Sequence, residues 1–477
     1  MLSNLIAILF LTSTFPQIDV VYPRITPGDS IARINHVQKN FIFGSVNPPE
    51  AKLMINKYPV SVCDNGAFLA YLPVNWDVQH YSLEASLDGQ ESTIIVPFAT
   101  KPEYEIETET HVSFPRMITL NNGIARTDPN GAYYIFPAKG TSVFTDGWMN
   151  GYFKVPLTSL QSVYIHEKYV STTDTFIIQE PPIIWSAEVF PTQKAEIVKI
   201  PIGKKILTRS FVENNSKTIV INLYNSISHI DQIKFSRDLK SIADVSWNQE
   251  ADNTVQITLD LTHCSWGYIT YWEGPDFIIS VKKPPELKGD LMGLHVVIDP
   301  GHGVDQVGAI GPTRLSEQEI NYTVGIHLAE FLRGKGVKVS LTRGRDEDMT
   351  LIDRLRFAEI SGGDILISIH HNALPDGTNP FSEFGTGTRF YHPQSRDLSL
   401  SIQEELVEEL KFPDEGIYYH NLALTRVSAM PSVLIEALYI MIPEHEALMR
   451  TEDYPCRLTR AIFKGLRKFV RQRKQNN

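Results

Sequence analysis

Leu294-His295-Val296-Val297-Ile298-Asp299-Pro300-Gly301-His302-Gly303 is the stretch on which the reading of this chain turns. Its β-branched, apolar run reads as a buried strand of a parallel sheet. Proline and glycine then force a tight turn, which puts His302 just past the strand's carboxyl end. In open α/β sheets that edge is where ligands bind. On its own, a histidine in a glycine-rich turn reads as an ordinary turn. Three later residues change that.

From Gly293 onward strands and helices alternate. Val337–Arg343, Asp364–His370, Thr386–Tyr391 and Ser432–Glu436 read as strands. Helical periodicity runs over Glu317–Arg333, Leu351–Ile360, Leu398–Leu410 and Leu458–Arg473. This alternation predicts an α/β domain over residues 292–475, a mostly parallel sheet with helices on both faces. Ser316 is a natural N-cap and Glu319 completes a capping box. Glu317 is left without a structural task in the first turn, where a carboxylate either complements the helix dipole or faces the sheet edge. Ser368-Ile369-His370-His371-Asn372-Ala373 ends a second apolar strand in two histidines. Val433-Leu434-Ile435-Glu436 ends a third in a carboxylate, and a buried unpaired charge is costly. His302, Glu317, His370 and Glu436 thus gather at one edge, and two imidazoles with one carboxylate make a catalytic zinc set that leaves one place for water. The other carboxylate is then able to move protons.

On these residues the segment from Gly293 to about Phe469 resembles the catalytic domain of zinc-dependent N-acetylmuramoyl-L-alanine amidases. The matching motifs are Asp299-Pro-Gly-His-Gly303, Glu317-Gln-Glu-Ile-Asn321, Ser368-Ile-His-His-Asn-Ala373 and Pro431-Ser-Val-Leu-Ile-Glu436. Leu341-Thr-Arg343 and Arg354 match supporting positions. The resemblance implies that His302, Glu317 and His370 bind Zn2+ and that Glu436 is the catalytic acid/base. It also implies that Arg426 lies near substrate. The expected reaction is hydrolysis of the amide between N-acetylmuramic acid and L-alanine of peptidoglycan. A zinc peptidase cutting the stem peptide and a non-catalytic wall-binding protein are the rival readings. Two departures stand out. Ala437-Leu438-Tyr439 replaces the Gly-Phe that usually follows the final Glu. The stretch Ala373–Gly385 is too short for the regulatory helix that blocks the site in some relatives.

The remaining chain reads as β modules. Residues 21–100 resemble the Ig-like modules of bacterial wall enzymes, with Asp64-Asn65-Gly66 as a turn signal. Residues 104–180 suggest a small barrel of SH3 type. There Tyr133, Tyr134, Phe136, Phe144, Trp148 and Tyr152 read either as its core or as a glycan-stacking surface. Residues 182–286 resemble the AMIN domain, which places envelope amidases at the wall. Thr100–Glu103 and Lys282–Glu286 read as linkers.

Composition agrees with a folded chain. Of 477 residues, 42% are hydrophobic and 21% charged, with a net charge of −11. That charge argues against a nucleic-acid partner. Cys63, Cys264 and Cys456 lie far apart and make neither a disulfide framework nor a cysteine zinc site. Residues 1–20 carry the apolar run Leu5–Leu11, which has the length of a signal-peptide core and is too short for a transmembrane span. The expectation is an exported enzyme of the periplasm or cell envelope, with peptidoglycan and an envelope activator protein as partners. Arg467, Lys468, Arg471, Arg473 and Lys474 give the last helix a basic character, read as a solvated face or a contact to anionic wall polymer.

Overall fold

The computed structural model describes residues 15–102, 110–121, 123–172, 180–382 and 384–475. The apolar run Leu5–Leu11 lies outside them. At the heart of the molecule is a six-stranded sheet. Its strands are β1 (His295–Pro300), β2 (Lys338–Leu341), β3 (Ile365–Asn372), β4 (Thr386–Phe390), β5 (Asp414–Tyr419) and β6 (Ser432–Tyr439), in the order β2-β1-β3-β6-β4-β5. β1, β2, β3 and β6 run parallel, while β4 meets β6 antiparallel and β5 follows β4 in parallel. The apolar runs of β1, β3 and β6 are buried on both faces, as a central parallel strand requires.

The two faces are covered differently. On one, Val296, Ile298, Ile367, Ile369 and Ile435 pack against three helices, α1 (Glu317–Gly334), α3 (Arg396–Leu410) and α5 (Asp453–Gln475). Leu328, Ile402 and Ile462 are among the fully buried side chains those helices bring. On the other, Val297 and Leu366 meet Ala358 of α2 (Leu351–Ser361), together with Tyr133 and Ile269 from the β modules. A short helix, α4 (Pro443–Met449), follows β6.

The first β module pairs a three-stranded sheet with a five-stranded one around Ile42, Phe68, Tyr81, Leu83 and Phe98. Its first strand, Gln17–Tyr22, pairs antiparallel with Lys39–Asn47. The sheet thus begins before residue 21, because Val20 and Tyr22 contribute to the module's packing. The second module is a seven-stranded sheet with an aliphatic core of Ile118, Leu120, Val155, Val163 and Ile165. That core takes in Leu207 and Tyr224 from the third module, so the two are packed together. Tyr133, Tyr134, Phe144, Trp148 and Tyr152 are half-buried and Phe136 is exposed. The third module stacks a five-stranded sheet on a four-stranded one.

All three modules dock on the six-stranded domain. Asp376 accepts hydrogen bonds from Tyr22 Oη, Asn35 N (2.8 Å) and Asn40 Nδ2 (3.2 Å), and pairs with Lys101 Nζ (2.8 Å). Phe41, Phe43 and Leu69 of the first module pack on Tyr439, Met441 and Ile442. At typical transfer energies each such buried side chain contributes about 1.5–3 kcal/mol. From the third module, Trp266 enters the main core and Tyr268 N donates to Ser428 O (2.8 Å). Lys282, expected in a linker, ends a strand and pairs with Asp364 at 2.7 Å. The last helix is tied in the same way. Arg467 and Arg471 pair with Asp290 at 2.7 and 3.1 Å, and Lys468 with Glu404. Arg473 is buried and donates to the carbonyls of Ser265 and Gln394. Arg473 apart, these cations lie on the surface, where acids and a carbonyl of the same chain engage them.

Candidate metal centre

The Asp299–Gly303 turn is built from its carbonyls inward. Asp299 is buried, and its carboxylate accepts from Thr342 Oγ1 (2.6 Å), Arg354 Nη1 (2.7 Å) and Ser368 Oγ (2.7 Å). Burial pushes that carboxyl up, yet Arg354 and the two hydroxyls hold it below its ordinary range. Arg343 donates to the carbonyls of Pro300 (2.9 Å) and Gly301 (3.0 Å), and Arg354 to those of Pro300 (2.9 Å) and His302 (2.5 Å). Thus held, His302 adopts a left-handed backbone with φ 64°, a strained conformation for a residue with a Cβ.

Ser316 caps α1 by accepting from Glu319 N (3.3 Å), and Glu317 turns into the sheet edge. Its Oε2 lies 3.0 Å from His302 Nε2 and accepts from Ala309 N at 3.0 Å. Its Oε1 lies 2.9 Å from His370 Nδ1 and accepts from His371 N at 3.2 Å. Burial opposes the Glu317 charge, but the His302 and His370 hydrogen bonds hold its carboxyl well below the usual range. Burial likewise opposes charge on His370, and Glu317 overrides it, raising that imidazole to about 9. A buried carboxylate that stabilises positive charge between two imidazoles is the environment a dication needs. The ligand atoms of His302, Glu317 and His370 lie within 4.8 Å of one another. Two glycines make room for them. A Cβ on Gly301 would fall 2.2 Å from the His370 ring, and one on Gly308 would fall 2.4 Å from Glu317 Oε2.

Strand alternation separates the two adjacent histidines. His370 joins the cluster, while His371 turns into the core between Asn321 Oδ1 (2.7 Å) and Tyr454 Oη (2.8 Å). Burial drives the His371 imidazole down to about 3, so it is a neutral structural histidine. Glu436 pairs in register with His370 on β3 and with Gly387 on β4. Its Oε2 is out of solvent contact and has no hydrogen-bond partner. Burial pushes this carboxyl up to about 7, against the pull of His370. A proton carrier working near neutrality has that property.

The structure does not bring Arg426 to this group. It sits in a short turn before β6, six residues upstream of Ser432, whereas Glu436 lies near the other end of that strand. Four residue steps along the strand separate Ser432 from Glu436, about 13 Å of extended chain. Arg426 instead donates to the carbonyls of Tyr133 (3.0 Å) and Tyr134 (2.8 Å) and stacks on the Tyr391 ring at 4.6 Å. It clamps the second β module to the catalytic domain.

Arg389 on β4 is the cation beside Glu436, and motif reading missed it. Its Nη1 lies 2.6 Å from where a Gly387 Cβ would be, on the face that Glu436 shares. It is 9% exposed, stacks on Tyr418 at 4.0 Å, and among the described residues has no carboxylate within ion-pair distance. The available signal was a charged residue inside the short strand Thr386–Phe390.

A parallel sheet carrying two histidines and a glutamate at its carboxyl edge, beside an unpaired carboxyl, defines a domain of hydrolase type. Comparison with known proteins gives the family. Residues 296–468 match the model of the N-acetylmuramoyl-L-alanine amidase family. The Bacillus subtilis (strain 168) protein YqiI is 32% identical over 185 residues, 38% of this chain and 87% of YqiI. The chain therefore belongs to that family. The N-acetylmuramoyl-L-alanine amidase LytC of the same organism is 30% identical over 193 residues, 40% of this chain and only 39% of LytC. The chain thus spans well under two thirds of LytC. Among solved structures, amidase AmiC2 of Nostoc punctiforme is 28% identical, covering 37% of this chain and 97% of AmiC2 at a TM-score of 0.35.

Proposed function

We propose that this chain is a zinc-dependent N-acetylmuramoyl-L-alanine amidase that acts on peptidoglycan outside the cytoplasmic membrane. The observation that carries the reading is the pairing of the His302–Glu317–His370 cluster with the unpartnered carboxyl of Glu436 across one strand pair. His302, Glu317 and His370 would hold the zinc. When bound, zinc supplies Lewis acidity to a water and to the substrate carbonyl.

The side chains supply the rest. The Asp299, Arg343 and Arg354 network fixes the turn that presents His302. Asn321 Nδ2 donates to Gly301 O (3.2 Å), which ties the same turn to α1. Glu436 accepts a proton from the attacking water and returns it to the departing amine. The lactyl C–N bond breaks and a C–O bond forms. The products are a lactyl carboxylate on the glycan and a free amino group on L-alanine. Residues 182–286 are proposed as an AMIN-like module, residues 21–100 as an Ig-like one and residues 104–180 as SH3-like. Among the described residues no helix is long and apolar enough to cross a membrane.

The test is digestion of purified peptidoglycan by the full chain, with and without chelator, followed by mass analysis. Stem peptides released with an intact L-alanine amino end, and only without chelator, are expected. Cuts within the stem peptide would make the chain a peptidase. Binding without cleavage would make it a wall-binding protein. Whether the purified chain digests alone also tests the envelope activator that the resemblance implies.

A further inference from the structure

A second cleft lies at the opposite edge of the sheet, where the second and third β modules meet the catalytic domain. Its volume is about 410 Å³, the size of a small-ligand site. The cations Lys139, Lys205, Arg209, Arg356 and Arg426 line it, against the acid Glu359. Arg209 and Arg426 repel one another, and among the described residues neither has a carboxylate within ion-pair distance. Two half-buried guanidiniums without a counter-ion form an anion site. The Tyr391 phenol beside them reports the same field. Burial pushes it up, yet Arg426, a hydrogen bond with Tyr419 and Arg209 bring it below its ordinary value.

Aromatic rings stand between these cations. Arg209 lies over the Tyr134 ring at 4.4 Å, and Arg426 lies 5.3 Å from the Phe136 ring. Phe136 is 37% exposed, and Trp272 also lines the cleft. Flat rings accept the apolar faces of sugars, and guanidiniums accept carboxylates. With ring and cation this close, the carboxylate must sit close to a pyranose. A carboxylate at the end of a flexible peptide does not meet that condition. The lactyl carboxylate freed by amide hydrolysis does, because a short ether links it to the sugar.

We propose that this cleft binds the peptide-free glycan which the reaction leaves behind, a pyranose polymer with a carboxylate on alternate sugars. The proposal rests on the amidase reading for the origin of those carboxylates. Such a site holds the enzyme on a strand it has already stripped, while the metal edge meets the next stem.

The experiment is calorimetric titration of the full chain with peptide-free glycan strands. Three further probes are the same strands with their carboxylates amidated, strands with stem peptides intact on the Glu436→Gln chain, and polyglycerol phosphate. Expected is binding to the peptide-free strands that weakens at least about tenfold in Arg209→Gln, the scale of a lost desolvated charge contact. Amidation of the carboxylates should weaken it to a similar extent. Phe136→Ala should also weaken it, and its exposed ring makes it the variant to rely on if Arg209→Gln does not fold. Both variants should hydrolyse a short soluble muropeptide as the parent does. Equal binding by parent, Arg209→Gln and Phe136→Ala overturns the proposal. Equal binding of amidated strands, of intact strands or of polyglycerol phosphate overturns it as well. If the parent binds the strands but does not hydrolyse the muropeptide, the amidase reading falls. The cleft then stands as an anionic-glycan site whose ligand is not its own product.

Discussion

The two edges of the six-stranded sheet are built on different plans. At the carboxyl edge every group belongs to one domain, and charge is matched within it. Glu317 sits between two imidazoles and Asp299 faces Arg354. Glu436 Oε2 is left without a hydrogen-bond partner. At the amino edge the groups come from three parts of the chain, and cations outnumber acids. The contrast teaches where function sits on this fold. One edge gathers two imidazoles and a carboxylate beside a second, unpaired carboxyl. The other is a junction between modules at which cations predominate.

Several variants sharpen this contrast. The largest effect is expected for Asp299→Asn, which leaves Arg354 buried without its partner. Breaking such a pair costs about 3–5 kcal/mol, read as a lowered denaturation midpoint. The Asp299 carboxyl is held below its ordinary value, so its contribution is complete above the unfolded carboxylate range. It is lost as pH falls through the folded value. The parent should therefore lose stability in acid that Asp299→Asn does not lose, and parallel acid losses in both would contradict the assignment. Next comes Glu436→Gln, whose turnover should fall by about two orders of magnitude or more at an unchanged thermal midpoint. Asp376→Ala should cost about 1–3 kcal/mol, because it strips an acceptor from the buried seam with the first module. An unchanged midpoint there would mean that the module is only loosely attached. The smallest effect on chemistry is expected for Arg426→Gln. Muropeptide turnover should stay within about twofold while the midpoint falls by a few degrees. A loss of turnover at an unchanged midpoint would return Arg426 to the catalytic edge.

The carboxyl edge was legible because its residues sit at strand ends. An apolar run ending in His370 or Glu436 states its own geometry, and the Ser316 cap left Glu317 free to turn inward. Alternation along β3 also separates His370, the histidine that the family motif selects, from His371. Arg426 was misplaced because a match of spacing does not carry strand direction. A residue upstream of a strand lies at the edge opposite its last residue. The amino edge was illegible because it depends on docking. Nothing in Tyr133-Tyr134 says that their carbonyls receive Arg426. Nothing in Lys282 says that it pairs with Asp364, or in Asp376 that it gathers Tyr22, Asn35, Asn40 and Lys101.

The most direct test of the account is the zinc content of the purified full chain, set beside that of His370→Ala, Glu317→Gln and Glu436→Gln. The account predicts one zinc per chain in the parent and in Glu436→Gln. It predicts loss in His370→Ala, which deletes a ligand, and weakened retention in Glu317→Gln, whose neutral amide is a poorer donor. Full zinc in His370→Ala, or loss of zinc in a folded Glu436→Gln, would contradict it.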